Sequence, residues 1–324
     1  MASILDIERN NRKADFNQIH KEVERTELGI RAICIMYDEH SSDPNSQENI
    51  FQQKENIYYK LSSIRFQYRI ILEQIYRAEE YIKKVDSADR LRGFVMGNPH
   101  FEKVEIEISS VFDNIVFNSV SIFDYLSHMI CYVCKGNKQK TEYWSSLIKS
   151  ARGDKNEIAK QQISVMIKHV DKQFVCKLND YRSRLIHRKR DLHKFHGNIE
   201  SNDSQQIYHI RLLASDELLS KKYLEIIKID NPDYQYISLT YVASWLIKET
   251  MQRIEQLLEG LVFTIKDNSH YLDNLLKSKP GKGFMSGHMN PMTMRMIKIS
   301  DTMWQDYKGI DNKWLFTNPE ENAV

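Results

Sequence analysis

Apolar residues along this chain recur at steps of three and four, the spacing that lines one face of an α-helix, and glycine and proline rarely interrupt them. Two long amphipathic segments, about Ser3 to Tyr37 and Gln47 to Lys84, flank the polar break Ser41 to Ser46 and predict an antiparallel helical hairpin. From Val104 to Cys134, Ile108, Val111, Ile115, Ile122, Leu126, Ile130 and Val133 trace one face of a long helix, with Asn118 filling the gap in the series. After a turn at Gly136 to Lys140, a short helix is predicted at Tyr143 to Lys149, broken by Ala151 to Asn156. The clearest helix follows: Ile163, Met166, Val170, Phe174, Leu178, Tyr181 and Leu185 advance by threes and fours. A polar loop is expected from Gly197 to Ser204, then a strand at Gln206 to Leu213 and an ambiguous stretch to Ile229. The last bundle helix spans about Ser238 to Ile265, with Trp245, Ile254, Leu257, Leu261 and Ile265 on its buried side.

This pattern predicts an all-α fold in three parts: a hairpin over 1–92, a helical bundle over 100–266 with an insertion at about 197–237, and a C-terminal extension over 267–324. With 324 residues, 41% of them apolar, the chain can bury one large core or two modest ones, and disorder throughout is excluded. The first thirty residues are laced with charge (Asp6, Glu8, Arg9, Arg12, Lys13), so they lack the apolar run of a signal peptide. The most apolar long stretch, Ile115 to Cys134, is broken by Asn118, Asp124 and His128, short of the roughly 20 apolar residues that span a bilayer. The expectation is a soluble cytoplasmic protein with no membrane partner.

Four cysteines give little support to a disulfide scaffold. Cys131 and Cys134 form a CxxC without a second ligand pair, while Cys34 and Cys176 stand alone, so all four are read as small residues on helices. Gly281 to Gly287 lacks the spacing of a phosphate loop, and the five methionines between Pro280 and Met296 are read as adaptable packing or a surface tail. No metal or cofactor is expected.

Charge changes the picture at one place. The whole chain carries +2, yet Tyr181 to His196 holds six Arg or Lys and three His against Asp191 alone. Its charge is therefore local. Within it Arg182, Ser183 and His187 bring together a guanidinium, a hydroxyl and a titratable imidazole, the groups needed to hold a phosphate and move a proton beside it. Arg188 with His193 and Arg190 with His196 repeat the spacing. At 100° per residue His187 lies about 160° from Leu185, on the far side from the core, and about 140° from Arg182. One undistorted helix would not aim both at one phosphate; a two-fold dimer would supply two copies of the histidine.

The long helix containing FDNIVFNSVSIFDYLSHMI (Phe112–Ile130), the short helix YWSSLIKSA (Tyr143–Ala151) and the helix ending in DYRSRLIHR (Asp180–Arg188) follow one another. Over about Val104 to Ile265 this succession resembles the HEPN superfamily, the higher eukaryotes and prokaryotes nucleotide-binding domains. Its signature is similar to RSRLIH, with Arg182, Ser183 and His187 at the marked positions; many active members carry Asn where this chain has Ser183. The resemblance implies a dimerising helical bundle and, in active members, a metal-independent endoribonuclease whose paired motifs face one another across the dimer cleft. It implies that Arg182 holds the phosphate, His187 acts as acid or base, and Ser183 positions substrate or the helix end. Arg184, Arg188, Lys189, Arg190, His193 and His196 would then bind RNA. A homodimer, a role as toxin or antiviral effector, and an antitoxin or regulatory partner follow from the same analogy.

Two other readings fit the same residues. A basic cluster at a helix C-terminus also stabilises the helix dipole and can be merely solvated. His187 and Asp191, four apart, would form an ordinary intrahelical ion pair rather than a metal site. The alternative functions are a non-catalytic RNA- or nucleotide-binding or protein-interaction module, and a coiled-coil scaffold built on the N-terminal hairpin.

Overall fold

The computed structural model describes residues 4–40, 44–84, 98–136, 143–187, 191–202, 205–215, 218, 237–268, 304 and 307–308. The fold is all-α with one small sheet. Its elements are α1 (Ile4–His40), α2 (Pro44–Lys84), α3 (Pro99–Lys135), α4 (Trp144–Arg152), a 3₁₀ turn (Ile158–Lys160), α5 (Ile163–Val170), a π-helical turn (Asp171–Val175), α6 (Cys176–His187), strands β1 (Lys194–Asn202) and β2 (Gln205–Leu213), and α7 (Leu239–Asn268). Pro44 opens α2, where its missing N–H costs nothing. Gly136, after α3, adopts φ 65°, the left-handed conformation that favours glycine at a helix end.

Two compact units divide the chain, and each gathers three segments. The first comprises Met1–Lys21, Ser62–Val120 and Cys176–Glu249; the second comprises Glu22–Leu61, Ser121–Val175 and Thr250–Val324. The predicted hairpin is antiparallel: in the first unit Asp15 accepts from Tyr68 at 2.6 Å and His20 meets Arg65 at 2.6 Å, and in the second the Glu27 carbonyl accepts from Tyr58 at 2.5 Å. Its residues thus belong to both units. The predicted polar break at Ser41 to Ser46 shortens, because α2 already begins at Pro44.

In the first unit Asp15 also accepts from Ser244 at 2.8 Å and Lys248 at 2.5 Å, and Arg12 pairs with Glu79. A polar group on α1 therefore has partners from α2 and α7, which keeps it satisfied beside the buried Tyr68. In the second unit the indole Nε1 of Trp144 donates to Asp171 at 3.0 Å, and Arg152 contacts the same carboxylate at 3.2 Å. Trp144 also stacks edge-on against Phe123, so the short helix α4 is held by both a buried ring and a buried hydrogen bond.

The predicted helix through Ile163, Phe174 and Leu185 is continuous but not uniform. Steps of four from Met166 to Leu178 drift by about 40° each against a 3.6-residue turn. The π-helical turn at Asp171–Val175 takes up an extra residue, and Val170, Phe174, Leu178 and Tyr181 all remain buried. On α7, Ile254, Leu257, Leu261 and Ile265 are buried as the pattern predicts, while Trp245 is only partly so.

The largest departure concerns Gly197 to Ser204. The expected loop is strand from Gly197 to Asn202, paired antiparallel with β2 from Lys194 opposite Leu213 to Asn202 opposite Gln205. The polar residues of that stretch signalled a turn, but the predicted strand needs a partner for its backbone groups, and the preceding segment supplies it. Ala78 and Ile82 of α2, Phe101 of α3 and Ile210 of β2 form an apolar cluster with Tyr81 and Phe195, which seats the hairpin on the helices of the first unit. Among the described residues α3 alone is long and apolar enough to cross a membrane, and 56% of its most apolar window is buried inside the fold. Most of the ambiguous stretch to Ile229, and Pro280 to Met296, lie outside the described residues.

Candidate nucleic-acid interface

The basic segment begins in the last turns of α6 and continues beyond that helix. Leu178 and Tyr181 face the core, and this fixes where the rest of α6 points. His187 is exposed in the last turn, on the side away from the core that the 100° rotation per residue assigns to it. Ser183 is exposed as well. Arg182 and Arg184 are half-buried, and the Nε of Arg182 is fully covered with no hydrogen-bond partner among the described residues. An uncompensated buried N–H costs about 1–3 kcal/mol, so Arg182 has an unmet demand for an acceptor.

Past His187 the predicted arrangement changes. Arg188, Lys189 and Arg190 lie outside the described residues, and the described part of α6 ends at His187. Asp191 is buried and accepts from the Tyr181 hydroxyl at 2.8 Å, rather than facing His187 as an ion pair along one helix. His193 and His196 are not on the helix: the first precedes β1 and the second lies in it. Only the Arg182 and His187 pair has both members described on α6.

His193 is fully buried and so is not presented to solvent. Its Nδ1 accepts from the Ser215 N–H at 3.0 Å, its own N–H donates to Ser109 Oγ at 3.1 Å, and the Phe112 ring meets it edge-on. Burial pushes the imidazole down to about 4 despite the nearby Asp191 charge, so this histidine is neutral at physiological pH. Two residues on, the Phe195 N–H donates to Glu105 at 2.7 Å, and desolvation raises the Glu105 carboxyl. His196 is exposed at the outer side of this base.

Ser109 and Glu105 were not singled out in the sequence, although each receives a backbone N–H of the segment entering β1. Their signal is faint. They are polar residues four apart on α3, beside the apolar positions Ile108 and Phe112, and such pairs are common on helices that do nothing special.

The cysteines are free: Cys34 and Cys131 buried, Cys134 partly so and Cys176 exposed. No group of three or more His, Cys, Asp or Glu that could hold a metal occurs among the described residues. Compared with known proteins, the chain matches no family model, no curated protein and no solved structure.

Proposed function

We propose that this chain is a HEPN-like, metal-independent endoribonuclease that works as a homodimer, with Arg182, Ser183 and His187 as its working residues. The observation that carries the reading is the end of α6. An exposed imidazole and hydroxyl share four residues of helix with a guanidinium whose covered Nε lacks an acceptor. A phosphate oxygen would satisfy that N–H by a charge-assisted hydrogen bond. His187 would then take the ribose 2′-hydroxyl proton or protonate the leaving oxygen, and a second copy would supply the complementary group. Arg184 and His196, with Arg188, Lys189 and Arg190, would add sequence-independent attraction for the RNA backbone. A toxin or antiviral role, with an antitoxin or other regulator as partner and a cytoplasmic site of action, belongs to this proposal.

The alternative is a non-catalytic module that binds RNA or nucleotide, or a partner protein, through the same surface. What favours it is the separation of about 140° around α6 between Arg182 and His187, which one chain does not close by itself. Cleavage of a mixed cellular RNA pool in EDTA by wild type and His187→Ala separates the two. The nuclease reading expects cleavage by wild type and its loss in the variant, with helical signal and dimer mass unchanged. Absence of cleavage by both proteins, alongside retained RNA binding, moves the assignment to the binding module.

A further inference from the structure

In the second unit, a short segment far along the chain lies against α1 and α7. Tyr307 is fully buried and Trp304 nearly so, their rings 5.0 Å apart. The Tyr307 ring sits against Gly29, where any added Cβ would come within 3.0 Å of it. Glycine therefore makes the notch that admits this ring. Arg25 lies over the ring face at 4.6 Å and donates to the Tyr307 carbonyl at 3.3 Å. The same guanidinium is held by Glu22 at 2.5 Å and Glu255 at 3.2 Å. Lys308 completes the contact by pairing with Glu255 at 3.6 Å and with Glu259.

These features are those of a receptor for a peptide. There is an aromatic anchor in a closed notch, a second aromatic beside it, a main-chain carbonyl recognised by a fixed Arg, and a basic side chain met by two carboxylates. The connection does not force the arrangement. Residues 269–303 separate the end of α7 from Trp304, and such a run spans on the order of 100 Å when extended. The segment is held by its contacts rather than by its tether.

We propose that the groove formed by Arg25, Gly29, Glu255 and Glu259 is a peptide-binding site selective for an aromatic-x-x-aromatic-basic motif. Its ligand is the chain's own Trp304–Lys308, docked as a removable latch. Tethering raises the local concentration of that ligand to the order of mM, so the groove is occupied in cis at equilibrium even when the free peptide binds with modest affinity. The Tyr307 hydroxyl is covered and has no hydrogen-bond partner among the described residues, so the ring and not the hydroxyl carries recognition. This inference does not depend on the proposed ribonuclease activity.

The test uses the full chain and a labelled synthetic peptide with the sequence of residues 300–310. Tyr307→Ala disables the resident latch, and this protein is expected to bind the peptide at least ~10-fold more tightly than wild type, whose groove is already filled. Adding Gly29→Leu, which closes the notch, should abolish that binding, whereas wild type carrying Tyr307→Phe should exclude the peptide as wild type does. Lack of binding by a Tyr307→Ala chain with unchanged helical signal overturns the proposal; so does equal binding by wild type and variant that Gly29→Leu does not affect. Should Tyr307→Ala fail to fold, Lys308→Glu sets like charge against Glu255 and Glu259 at a partly exposed position. Hydrogen exchange at 304–308 should then quicken by ~10-fold or more, and an unchanged rate overturns the latch.

Discussion

The Tyr181 hydroxyl donates a 2.8 Å hydrogen bond to the Asp191 carboxylate, and both side chains are buried. This contact turns the basic segment back toward the core after α6 and thereby sorts its residues. His187 stays outside, and His193 goes in. The nearby carboxylate and burial together hold the Tyr181 phenol well above its usual titration range, so it remains a donor at any physiological pH.

Tyr181→Phe removes that donor and leaves the Asp191 carboxylate buried without it. Destabilisation of about 1–3 kcal/mol is expected from urea unfolding, the cost of an unsatisfied buried acceptor. Asp191→Asn keeps an acceptor oxygen and should cost less. Equal stability of Tyr181→Phe and wild type would mean that this contact does not order the segment.

Acid should weaken the first unit through His193. Its folded-state value, pushed down to about 4, lies below the ordinary 6.5, so the unfolded chain binds the proton first. The stabilisation is complete above about pH 6.5 and is lost progressively as pH falls toward 4, by on the order of 3 kcal/mol in total. Glu105 and Glu22, raised by burial, act with the opposite sign in the carboxylate range, so the readout is the difference between wild type and His193→Gln. That difference should shrink on acidification; a pH-independent difference would count against a buried neutral imidazole.

Gly260 on α7 tests a close helix crossing in the second unit. A Cβ there would meet Met166 Sδ at 2.8 Å and Ile163 Cγ1 at 3.0 Å. For Gly260→Ala the clash is offset by roughly 1 kcal/mol of helix propensity, and Met166 can swing aside, so thermal unfolding should move little. Gly260→Val cannot be accommodated in that way and should lose about 1–3 kcal/mol.

If His187 is the acid or base of an RNA-cleaving site, the rate in EDTA should follow a histidine-like pH profile and fall by at least ~100-fold in His187→Ala. Strict dependence on Mg²⁺ would point to a different site. Arg182→Lys keeps the charge but loses the Nε donor and the fork geometry, so a large loss in that variant would identify shape rather than charge as the requirement.

The helices were legible because burying one stripe of a helix leaves a periodic record in its residues, and Ile108, Ile115, Ile122 and Leu126 on α3 follow that record closely. The strand at Gln206 to Leu213 was legible for the same reason, at period two. Its partner was not. Gly197 to Asn202 is polar and reads as a loop, and only the pairing demand of β2 makes it a strand. The docking of Tyr307 was equally hidden, since one aromatic in a tail carries no periodicity, and its notch is made by Gly29 nearly three hundred residues earlier.

At the candidate site, rotation along α6 placed His187 outward and Tyr181 inward from the sequence alone, because helical phase is a local property. The fate of Asp191 and His193 was decided by tertiary contacts with Tyr181, Ser109 and Ser215, which no spacing rule connects. Composition and periodicity therefore determined an all-α chain with a local basic segment. Which of its charged and titratable groups face water was decided only when distant residues supplied, or failed to supply, hydrogen-bond partners for them.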